Sequence, residues 1–329
     1  MANIQEVARR AGVSSATVSR VLNNTTAVSA KTKFKVEKAI EELEYEPSML
    51  GRNLRNSESR LLLVLIHTFS NPYYSEIING IEDYSIANDY NILLCETDSN
   101  PQREIIFLNM VKNKLADGII SMNPTVDLEK LKALNENHSI IMCSDYYEDV
   151  SIPYVAIDNE LAAYKAVKHL IKLGNEKIAF INFDDNMAYA RKRREGYERA
   201  LNEFNLPIRD EWMCKTDGLD FQDGVQAMRK LLQLEERPTA VFAVSDTIAI
   251  GALKELNVKG IKIPEEIAVV GFDNIGFSNM TNPTLSTVSQ PKYEMGYKAA
   301  NMLIESIKGS KADSVIMDHE LIIRESTLK

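Results

Sequence analysis

The stretch IQEVARRAGVSSATVSRVL, residues 4–22, predicts two short helices joined by a turn. Its apolar residues recur at helical spacing up to Gly12, which ends the first helix. Ser14 is a good N-cap for a second helix that runs to about Leu22. A third helix, capped by Ser29, has one apolar face, so the amino-terminal segment is expected to be a compact three-helix unit.

The second of these helices has two unlike faces. Val18 and Val21 share the face that is expected to pack on the other two helices. The opposite face has small side chains and one arginine: Ser15, Ala16, Ser19 and Arg20. Such a face fits the major groove of DNA, about 12 Å wide, where an arginine can offer paired donors to a guanine edge. An ordinary amphipathic helix with a solvated arginine is the alternative.

Charge is distributed unevenly along the 329 residues. Residues 1–35 carry six basic side chains and one acidic side chain, a balance of +5. Because the whole chain has a formal charge of -9 at pH 7, residues 36–329 carry -14. A basic segment on an acidic body indicates that only the amino-terminal segment meets a polyanion.

After a polar linker with Pro47 and Gly51, apolar strands alternate with amphipathic helices. The strand-like runs are LLLVLI, NILLC, DGIIS, SIIMC, YVAI, KIAFIN, TAVFAV and IAVVGF, followed by a last strand-like segment, VIMDHELIIRES. Near-continuous apolar strands separated by helices predict parallel sheets covered on both faces. The body is therefore expected to be α/β, with two doubly wound lobes.

Several classes of protein are disfavoured by the composition and motifs. No apolar run approaches the roughly 18 to 20 residues of a membrane span, and the first residues lack the plan of a signal peptide, so a cytoplasmic location is expected. Cys95 and Cys143 lie in strand-like runs and are expected to be buried thiols, with no disulfide. The four histidines lack metal-ligand spacing, and no phosphate-binding glycine loop or nucleophile motif occurs. Neither a metal, nor another cofactor, nor an enzymatic activity is expected.

The amino-terminal residues resemble the helix-turn-helix of the LacI family of bacterial repressors. The matching segments are IQEVARRAGVSSATVSRVLN, VSAKT and LEYEP. The resemblance implies that Ser15, Ala16 and Arg20 contact bases. It also implies a hinge helix over residues 48–55 whose Leu54 wedges into the minor groove at the operator centre. Because Gly51 stands where many members have alanine and weakens the helix, residues 48–55 are expected to be disordered without DNA. The predicted DNA-binding residues are Ser14, Ser15, Ala16, Thr17, Ser19, Arg20, Asn23 and Leu54.

The resemblance extends to the body of the chain. The matching segments there include NPYYSEIINGIE, DGII, RREGY, SDTIAIGAL and VVGFDN, and MLGRNLRNSES, PKYEMG and ELIIRES are most like the cytidine-responsive subgroup. The implied body is a periplasmic-binding-protein-like pair of lobes. His67-Thr68 and Asn175 depart from common family residues and leave the effector open.

The expected domains are a helix-turn-helix domain over residues 1–46, a hinge linker over residues 47–60, and an effector-binding and dimerisation domain over residues 61–329. Lobe 1 is expected to hold residues 61–160 and 292–320, and lobe 2 residues 161–291 and 321–329.

A cleft between two α/β lobes binds ligands at the carboxyl ends of its strands. Asp246 and Asp273 follow two predicted strands, and their carboxylates can accept hydrogen bonds from ligand hydroxyls. Asp246 as the cap of the following helix is the alternative. Of the adjacent Tyr73 and Tyr74, one is expected to face inward and the other the cleft. With the resemblance included, the predicted effector-binding residues are Tyr73, Arg193, Phe221 as an aromatic lid, Asp246, Asp273 and Gln290.

The predicted function is a homodimeric repressor that binds double-stranded operator DNA and is released by a sugar or a nucleoside. A ligand that strengthens DNA binding would use the same parts. One alternative is a catabolite-control-type regulator with a phosphorylated carrier protein as corepressor, although Asn301 and Glu305 lie where basic residues would be needed. Another alternative is a solute-binding receptor without a DNA function.

Overall fold

The structure, a computed structural model, describes residues 3–22, 28–45, 58–126, 128–147 and 151–328. The chain divides into two compact units, Met1–Ser59 and Arg60–Lys329. The predicted DNA-binding residues Asn23 and Leu54, and the predicted hinge helix, lie outside the described residues.

The first unit is the predicted three-helix bundle. Its helices are α1 (Ile4–Ala11), α2 (Ser15–Leu22) and α3 (Ala30–Glu42). Gly12 ends α1 with a φ of 69°, in the left-handed region that favours glycine. The predicted caps are confirmed, because Ser14 Oγ accepts from the Thr17 amide at 3.2 Å and Ser29 Oγ accepts from the Thr32 amide at 3.4 Å.

A small apolar core holds this unit together. Val7, Val18 and Val36, one from each helix, are fully buried in it. Arg10 on α1 donates to Glu42 on α3 at 2.6 Å, which ties the first helix to the last. Because this ion pair is partly exposed to solvent, it contributes about 1 kcal/mol or less to the free energy of unfolding. Burial of the valines therefore dominates the stability of this unit.

Lobe 1 of the second unit is a six-stranded sheet in the order β11-β5-β4-β3-β1-β2, and all its neighbouring strands are parallel. The strands are β1 (Leu61–Ile66), β2 (Asn91–Glu96), β3 (Gly118–Ser121), β4 (Ser139–Cys143), β5 (Tyr154–Ile157) and β11 (Val315–Met317). The helices of this lobe are α4 (Tyr73–Ala87), α5 (Pro101–Lys112), α6 (Leu128–Asn135) and α11 (Lys292–Ile307). Cys95 and Cys143 are buried in β2 and β4, as expected.

Lobe 2 has a second six-stranded sheet in the order β12-β10-β9-β8-β6-β7. Only β12 is antiparallel to its neighbour, β10. The strands are β6 (Ile178–Asn182), β7 (Met213–Lys215), β8 (Ala240–Ala243), β9 (Ala268–Asp273), β10 (Ser286–Ser289) and β12 (Glu320–Ile322). The helices are α7 (Asn159–Lys172), α8 (Ala188–Glu203), α9 (Phe221–Leu232) and α10 (Asp246–Val258), with short 3-10 turns at Asp210–Trp212 and Gly276–Asn279.

The chain passes three times between the lobes, after β5, after β10 and after β11. The last strand-like segment of the sequence therefore holds two strands, and each completes a different sheet. Register keeps the carboxyl ends of the parallel strands level, since Ile66 pairs with Glu96 in lobe 1 and Asp273 pairs with Ser289 in lobe 2. Loops from both sheets thus meet at one cleft.

Helices α4 and α11 cross closely on one face of lobe 1. A Cβ atom at Gly80 would overlap the carbonyl oxygen of Tyr293, and one at Gly296 would overlap that of Ile77. The two backbones approach this closely because both positions lack a side chain. No helix among the described residues has the length and apolarity that a membrane span requires.

Candidate functional site

Helix α2 has the two faces that its sequence predicts. Val18 and Val21 are buried against the other helices, whereas Ala16 and Arg20 are exposed. Ser14 is also exposed, and its hydroxyl lies 3.0 Å from that of Thr17. The half-buried side chains between these positions are Ser15, Thr17 and Ser19. Apart from Arg20, nothing on the exposed face of α2 is large, so the backbone of the helix can approach a binding surface closely.

A cavity lies between the two lobes of the second unit. Lobe 1 lines it with His67, Asn71, Tyr73, Tyr74, Ser99, Met122, Asn123, Ser144 and Asp145. Lobe 2 lines it with Phe183, Tyr189, Arg193, Leu219, Ser245 and Asp273. Most of these residues follow strands or begin helices, so the sheets position them at the predicted end of each lobe. The prediction that only one of the two adjacent tyrosines faces the cleft is wrong, since both line the cavity.

Arg193 of α8 and Asp273 of β9 form a buried pair in the wall of lobe 2. Arg193 Nη1 lies 3.7 Å from Asp273 Oδ1, with 5% and 9% of the two side chains exposed. The guanidinium carbon lies 3.5 Å from the centre of the Phe272 ring. Nε donates to Asn159 Oδ1 at 2.9 Å, and Nη1 donates to the Val244 carbonyl at 2.5 Å. These contacts fix the guanidinium in place before any ligand arrives.

The backbone at Asp273 is strained. Asp273 has a φ of 115° and Asn274 has a φ of 50°, values that residues other than glycine rarely adopt. Lys292 Nζ donates to the carbonyl oxygens of these two residues at 2.9 and 2.6 Å. It also lies 3.1 Å from Glu76 Oε1 of lobe 1. Lys292 therefore holds the strained segment and joins it to the other lobe.

A chain of hydrogen bonds joins the two lobes beside the cavity. Gln290 Nε2 donates to Asp273 Oδ1 at 2.8 Å, and Tyr73 OH donates to Gln290 Oε1 at 3.1 Å. Tyr73 OH also lies 2.7 Å from Ser144 Oγ. Burial raises the pKa of Tyr73, so the phenol keeps its proton. The structure thus brings together four of the predicted effector residues: Tyr73, Arg193, Asp273 and Gln290.

Asp246 lies behind the cavity wall and is fully buried. Its oxygens accept from the Ile275 amide at 2.9 Å, from Ser278 Oγ at 2.6 Å and from Thr287 Oγ1 at 2.5 Å. The alternative that Asp246 caps α10 is wrong, because Ser245 occupies the N-cap and accepts from the Ile248 amide. Asp246 instead joins the segment after β9 to β10.

Burial dominates the protonation of the carboxyl groups around the cavity. It raises the pKa of Asp273 to about 7, although Arg193 acts in the opposite direction. It raises the pKa values of Asp145 and Asp246 to about 6. Asp145 also accepts from the Tyr189 amide of lobe 2 at 3.2 Å. Close to neutral pH, both protonation states of Asp273 are therefore populated, and its carboxyl group can donate or accept a hydrogen bond.

Phe221 does not line this cavity. It lies in the wall of a second, mostly apolar pocket, together with Pro72, Ile250, Phe277 and Met280. Its assignment as an aromatic lid over the effector stays a prediction.

Sequence reasoning missed several residues of the cavity. Ser144 and Asp145 directly follow the strand SIIMC, and Asn123 closely follows DGIIS. The rule that singled out the carboxylates after the strands of lobe 2 would have found Asp145 in lobe 1, and the same rule widened to other polar residues would have found Ser144 and Asn123. Lys292 had no such signal, because a lysine at the start of a helix is normally exposed.

Known proteins match the chain over its whole length. A family model described as "Bacterial regulatory proteins, lacI family" matches residues 3–48, and one described as "Periplasmic binding proteins and sugar binding domain of LacI family" matches residues 59–325. The HTH-type transcriptional repressor CytR of Escherichia coli strain K12 is 35% identical, over 99% of this chain and 96% of the repressor. Catabolite control protein A of Priestia megaterium is 36% identical, over 98% of each chain.

The solved structures agree with these relatives. The lac repressor dimer bound to operator and an anti-inducer is 25% identical and superposes with a TM-score of 0.90, over 100% of this chain and 99% of the repressor chain. The names of all three proteins describe regulators rather than enzymes. A three-helix amino-terminal unit and a two-lobed α/β body with a cleft, each matched by its own family model, lead to one assignment: the chain belongs to the LacI family of bacterial regulatory proteins.

Proposed function

We propose that this protein is a homodimeric transcriptional repressor in the cytoplasm. A sugar or a nucleoside bound between its lobes lowers its affinity for operator DNA. The observation that carries the proposal is the exposed small-residue face of α2, with Arg20 on it, in a chain that also contains a polar cavity between two lobes. The proposed domains are residues 1–46 for DNA binding, residues 47–60 for the hinge, and residues 61–329 for effector binding and dimerisation.

In this proposal, α2 of each protomer enters the major groove of one half of a near-palindromic operator. Arg20 reads a guanine edge, Ser15 and Ala16 let the helix approach the bases, and Ser14 and Thr17 bond to phosphates. Support comes from the exposure of Arg20 and Ala16 and from the +5 balance of residues 1–35. The family resemblance is the reason for including three further residues in the proposed DNA-binding surface: Ser19, Asn23 and Leu54.

The effector is proposed to bind Arg193 and Asp273 directly, with Tyr73 contributing its hydroxyl from lobe 1. Gln290 and Asp246 are proposed to position these groups, since their hydrogen bonds are made to protein atoms. A ligand that bonds to both lobes changes their relative orientation and thereby the fit of the two hinges on DNA. The protein is proposed to bind its effector without converting it.

The alternative with a phosphorylated carrier protein as corepressor needs cations on α11. Asn301 donates to the Tyr84 hydroxyl at 2.6 Å, and Glu305 pairs with Lys308 at 2.9 Å. A surface with an amide and a paired carboxylate at these positions is poorly suited to a phosphate group. We therefore favour the small-molecule effector.

The test of DNA binding starts with selection of preferred sites from a random double-stranded library, followed by affinity measurements at fixed salt. Arg20→Ala is expected to cost about 1 to 3 kcal/mol on the selected site and to relax specificity at one base pair per half-site. Lys38→Ala is the matched control, because Lys38 is an exposed cation of the same unit that pairs with Glu42. It should cost less than about 0.5 kcal/mol.

Recovery of no preferred site would contradict the proposal. Equal losses for the two variants would remove Arg20 from its assigned role.

A further inference from the structure

Phe34 of helix α3 is the most exposed aromatic residue that the structure describes. Its exposed fraction is 68%. At 3.6 residues per turn, position 34 lies about 200° around the helix from Val36, which is buried in the core of the first unit. The ring of Phe34 therefore faces away from the core that holds the three helices together.

Three lysines surround Phe34 on the same side of α3. Lys31 precedes it by three positions, Lys35 follows it by one, and Lys38 follows it by four. All three lysines are exposed. Because residues three and four positions apart are neighbours on a helix surface, Lys31 and Lys38 flank the ring along the helix axis. We call these four residues the α3 outer face.

The charge of the α3 outer face is only partly neutralised within the first unit. Lys38 Nζ lies 3.9 Å from Glu42 Oε1. Lys31 and Lys35 form no ion pair with any residue in the described part of the chain. Two positive charges thus stand beside the apolar ring, and both are open to an anionic group of another molecule.

The α3 outer face has the composition of a small binding surface. Lysine side chains have aliphatic stems that extend the apolar surface around a neighbouring ring, while their ammonium groups stay in water. The result is an apolar centre with a charged rim, which is the usual anatomy of a protein–protein interface. From Lys31 to Lys38 the face spans about 10 Å, the length of two turns of a helix.

The α3 outer face is poorly placed for the DNA that α2 is proposed to bind. Val18 of α2 and Val36 of α3 share the core of the unit. Arg20 faces away from this core on the α2 side, and Phe34 faces away from it on the α3 side. A sugar-phosphate backbone would match the lysines, but it offers the ring no apolar pocket. We therefore favour a protein partner.

We propose that the α3 outer face binds an acidic amphipathic helix of another protein. Phe34 packs between apolar side chains on about two turns of that helix, and the three lysines lie opposite its carboxylates. Complementary charge supports this partner, since it favours an acidic helix and rejects a basic one. The α3 outer face is separate from the DNA surface of α2, so both surfaces can be occupied at once. Only this last statement rests on the proposed function.

Fluorescence anisotropy of a labelled synthetic helix, titrated with the full-length protein, tests the proposal. The probe has leucine along one face and glutamate on the others. Its control has the same composition, with the leucines spread around the helix. We expect a Kd on the order of 10 to 100 μM for the probe and at least about tenfold weaker binding of the control. Residues 36–329 carry a net charge of -14, so the rest of the chain repels an acidic probe.

Variants of exposed residues then locate the bound probe. Phe34→Ala and Lys31→Glu should each weaken probe binding by about fivefold to tenfold. Ile106→Ala is the matched control for the ring, since Ile106 is an apolar side chain of the second unit with 62% exposure. Arg20→Glu is the matched control for the charge, since Arg20 is an exposed cation on another side of the same unit. Both controls should leave probe binding unchanged.

Equal binding of the probe and the control helix, or binding of neither, would overturn the proposal. So would equal losses from Lys31→Glu and Arg20→Glu, or from Phe34→Ala and Ile106→Ala. If Phe34→Ala weakens binding to the selected operator by more than about fivefold, the α3 outer face contacts DNA instead, and the proposal is wrong.

Failure to recover a preferred DNA site would contradict the proposed function alone, because the probe titration uses no DNA. The comparison of the probe with the control helix uses the unmodified protein and stays decisive even if a variant fails to fold.

Discussion

Lys292 shows how one buried cation can serve both lobes. Only 3% of its side chain is exposed, and its ammonium group bonds to the two carbonyl oxygens of the strained segment and to Glu76. These carbonyls belong to Asp273 and Asn274, at the wall of the cavity. The geometry of a carboxylate assigned to the effector thus depends on a lysine that does not line the cavity.

Lys292→Met keeps the length of the side chain and removes all three donors. Two carbonyl oxygens in a strained segment would then lose their partner, so the free energy of unfolding should fall by about 2 to 3 kcal/mol. Effector affinity should fall as well, by about tenfold or more, because Asp273 is no longer held. Urea unfolding and calorimetry measure the two effects.

Glu76→Gln is the control, because Glu76 is 54% exposed and its loss leaves both carbonyl bonds in place. The change in stability should be below about 1 kcal/mol. If this variant is as damaging as Lys292→Met, the ion pair matters more than the carbonyl bonds, and our account of the strained segment is wrong.

The sequence predicted some residues of the candidate site and missed others. Asp273 was predictable because a carboxylate follows an apolar strand, and Arg193 because it precedes a glycine and an aromatic residue in a family segment. Lys292 was not predictable from local pattern. Its burial depends on carbonyl groups that lie 18 and 19 positions earlier in the chain and are turned toward it by positive φ angles.

At the scale of elements, the crossing of α4 and α11 is set by two glycines. Gly80 and Gly296 let each helix approach the backbone of the other, and Tyr73 begins α4 while Lys292 begins α11. Two residues of the candidate site therefore lie on helices whose spacing is fixed by glycines about one and two turns further along.

Gly296→Ala should force these helices apart. The new Cβ atom would overlap a backbone carbonyl of α4, which cannot move as a flexible side chain could. We expect a loss of about 1 to 3 kcal/mol in the free energy of unfolding, despite the better helix propensity of alanine. Thermal unfolding of the full chain measures this loss.

Gly276→Ala is the comparison for this variant, since a Cβ atom at Gly276 would meet open space and the position is exposed. It should change stability by less than about 0.5 kcal/mol. Equal effects of the two substitutions would show that the crossing tolerates a methyl group.

The elements that sequence patterns missed are short or polar. β10 reads STVS, yet Ser286 and Thr287 are fully buried. Thr287 donates to Asp246 at 2.5 Å, and the Ser286 hydroxyl bonds to Thr327 at 2.7 Å. Partners 41 positions away make burial of these hydroxyls favourable, and no local pattern contains them. Longer apolar strands such as LLLVLI need no such partners and were predicted correctly.

At the scale of the whole molecule, buried carboxyl groups link stability to pH. Burial raises the pKa values of Asp145, Asp246 and Asp273 above those of the unfolded chain. Between about pH 4 and about pH 7, the folded protein therefore binds more protons at these groups than the unfolded chain does. Their contribution to the free energy of unfolding falls as pH rises through this window.

Asp246→Asn isolates one part of this dependence. With a folded-state pKa of about 6, the contribution of Asp246 should fall by about 1 kcal/mol between about pH 5 and about pH 7.5. The variant is less stable at every pH, because its amide faces hydrogen-bond donors, but its loss over this interval should be smaller by that amount. Urea unfolding at the two pH values gives both slopes. Parallel slopes for the variant and the unmodified protein would show that Asp246 does not titrate in this range.

Because the chain crosses three times between the lobes, neither lobe can complete its fold until late in translation. β11 closes the sheet of lobe 1 and β12 that of lobe 2, and both lie within residues 315–322. Neither lobe corresponds to a continuous segment, so a nascent chain still on the ribosome holds two unfinished sheets until these residues emerge. A premature stop shortly before β11 would damage both lobes at once. During translation, response to the effector is therefore one of the last properties that the protein acquires.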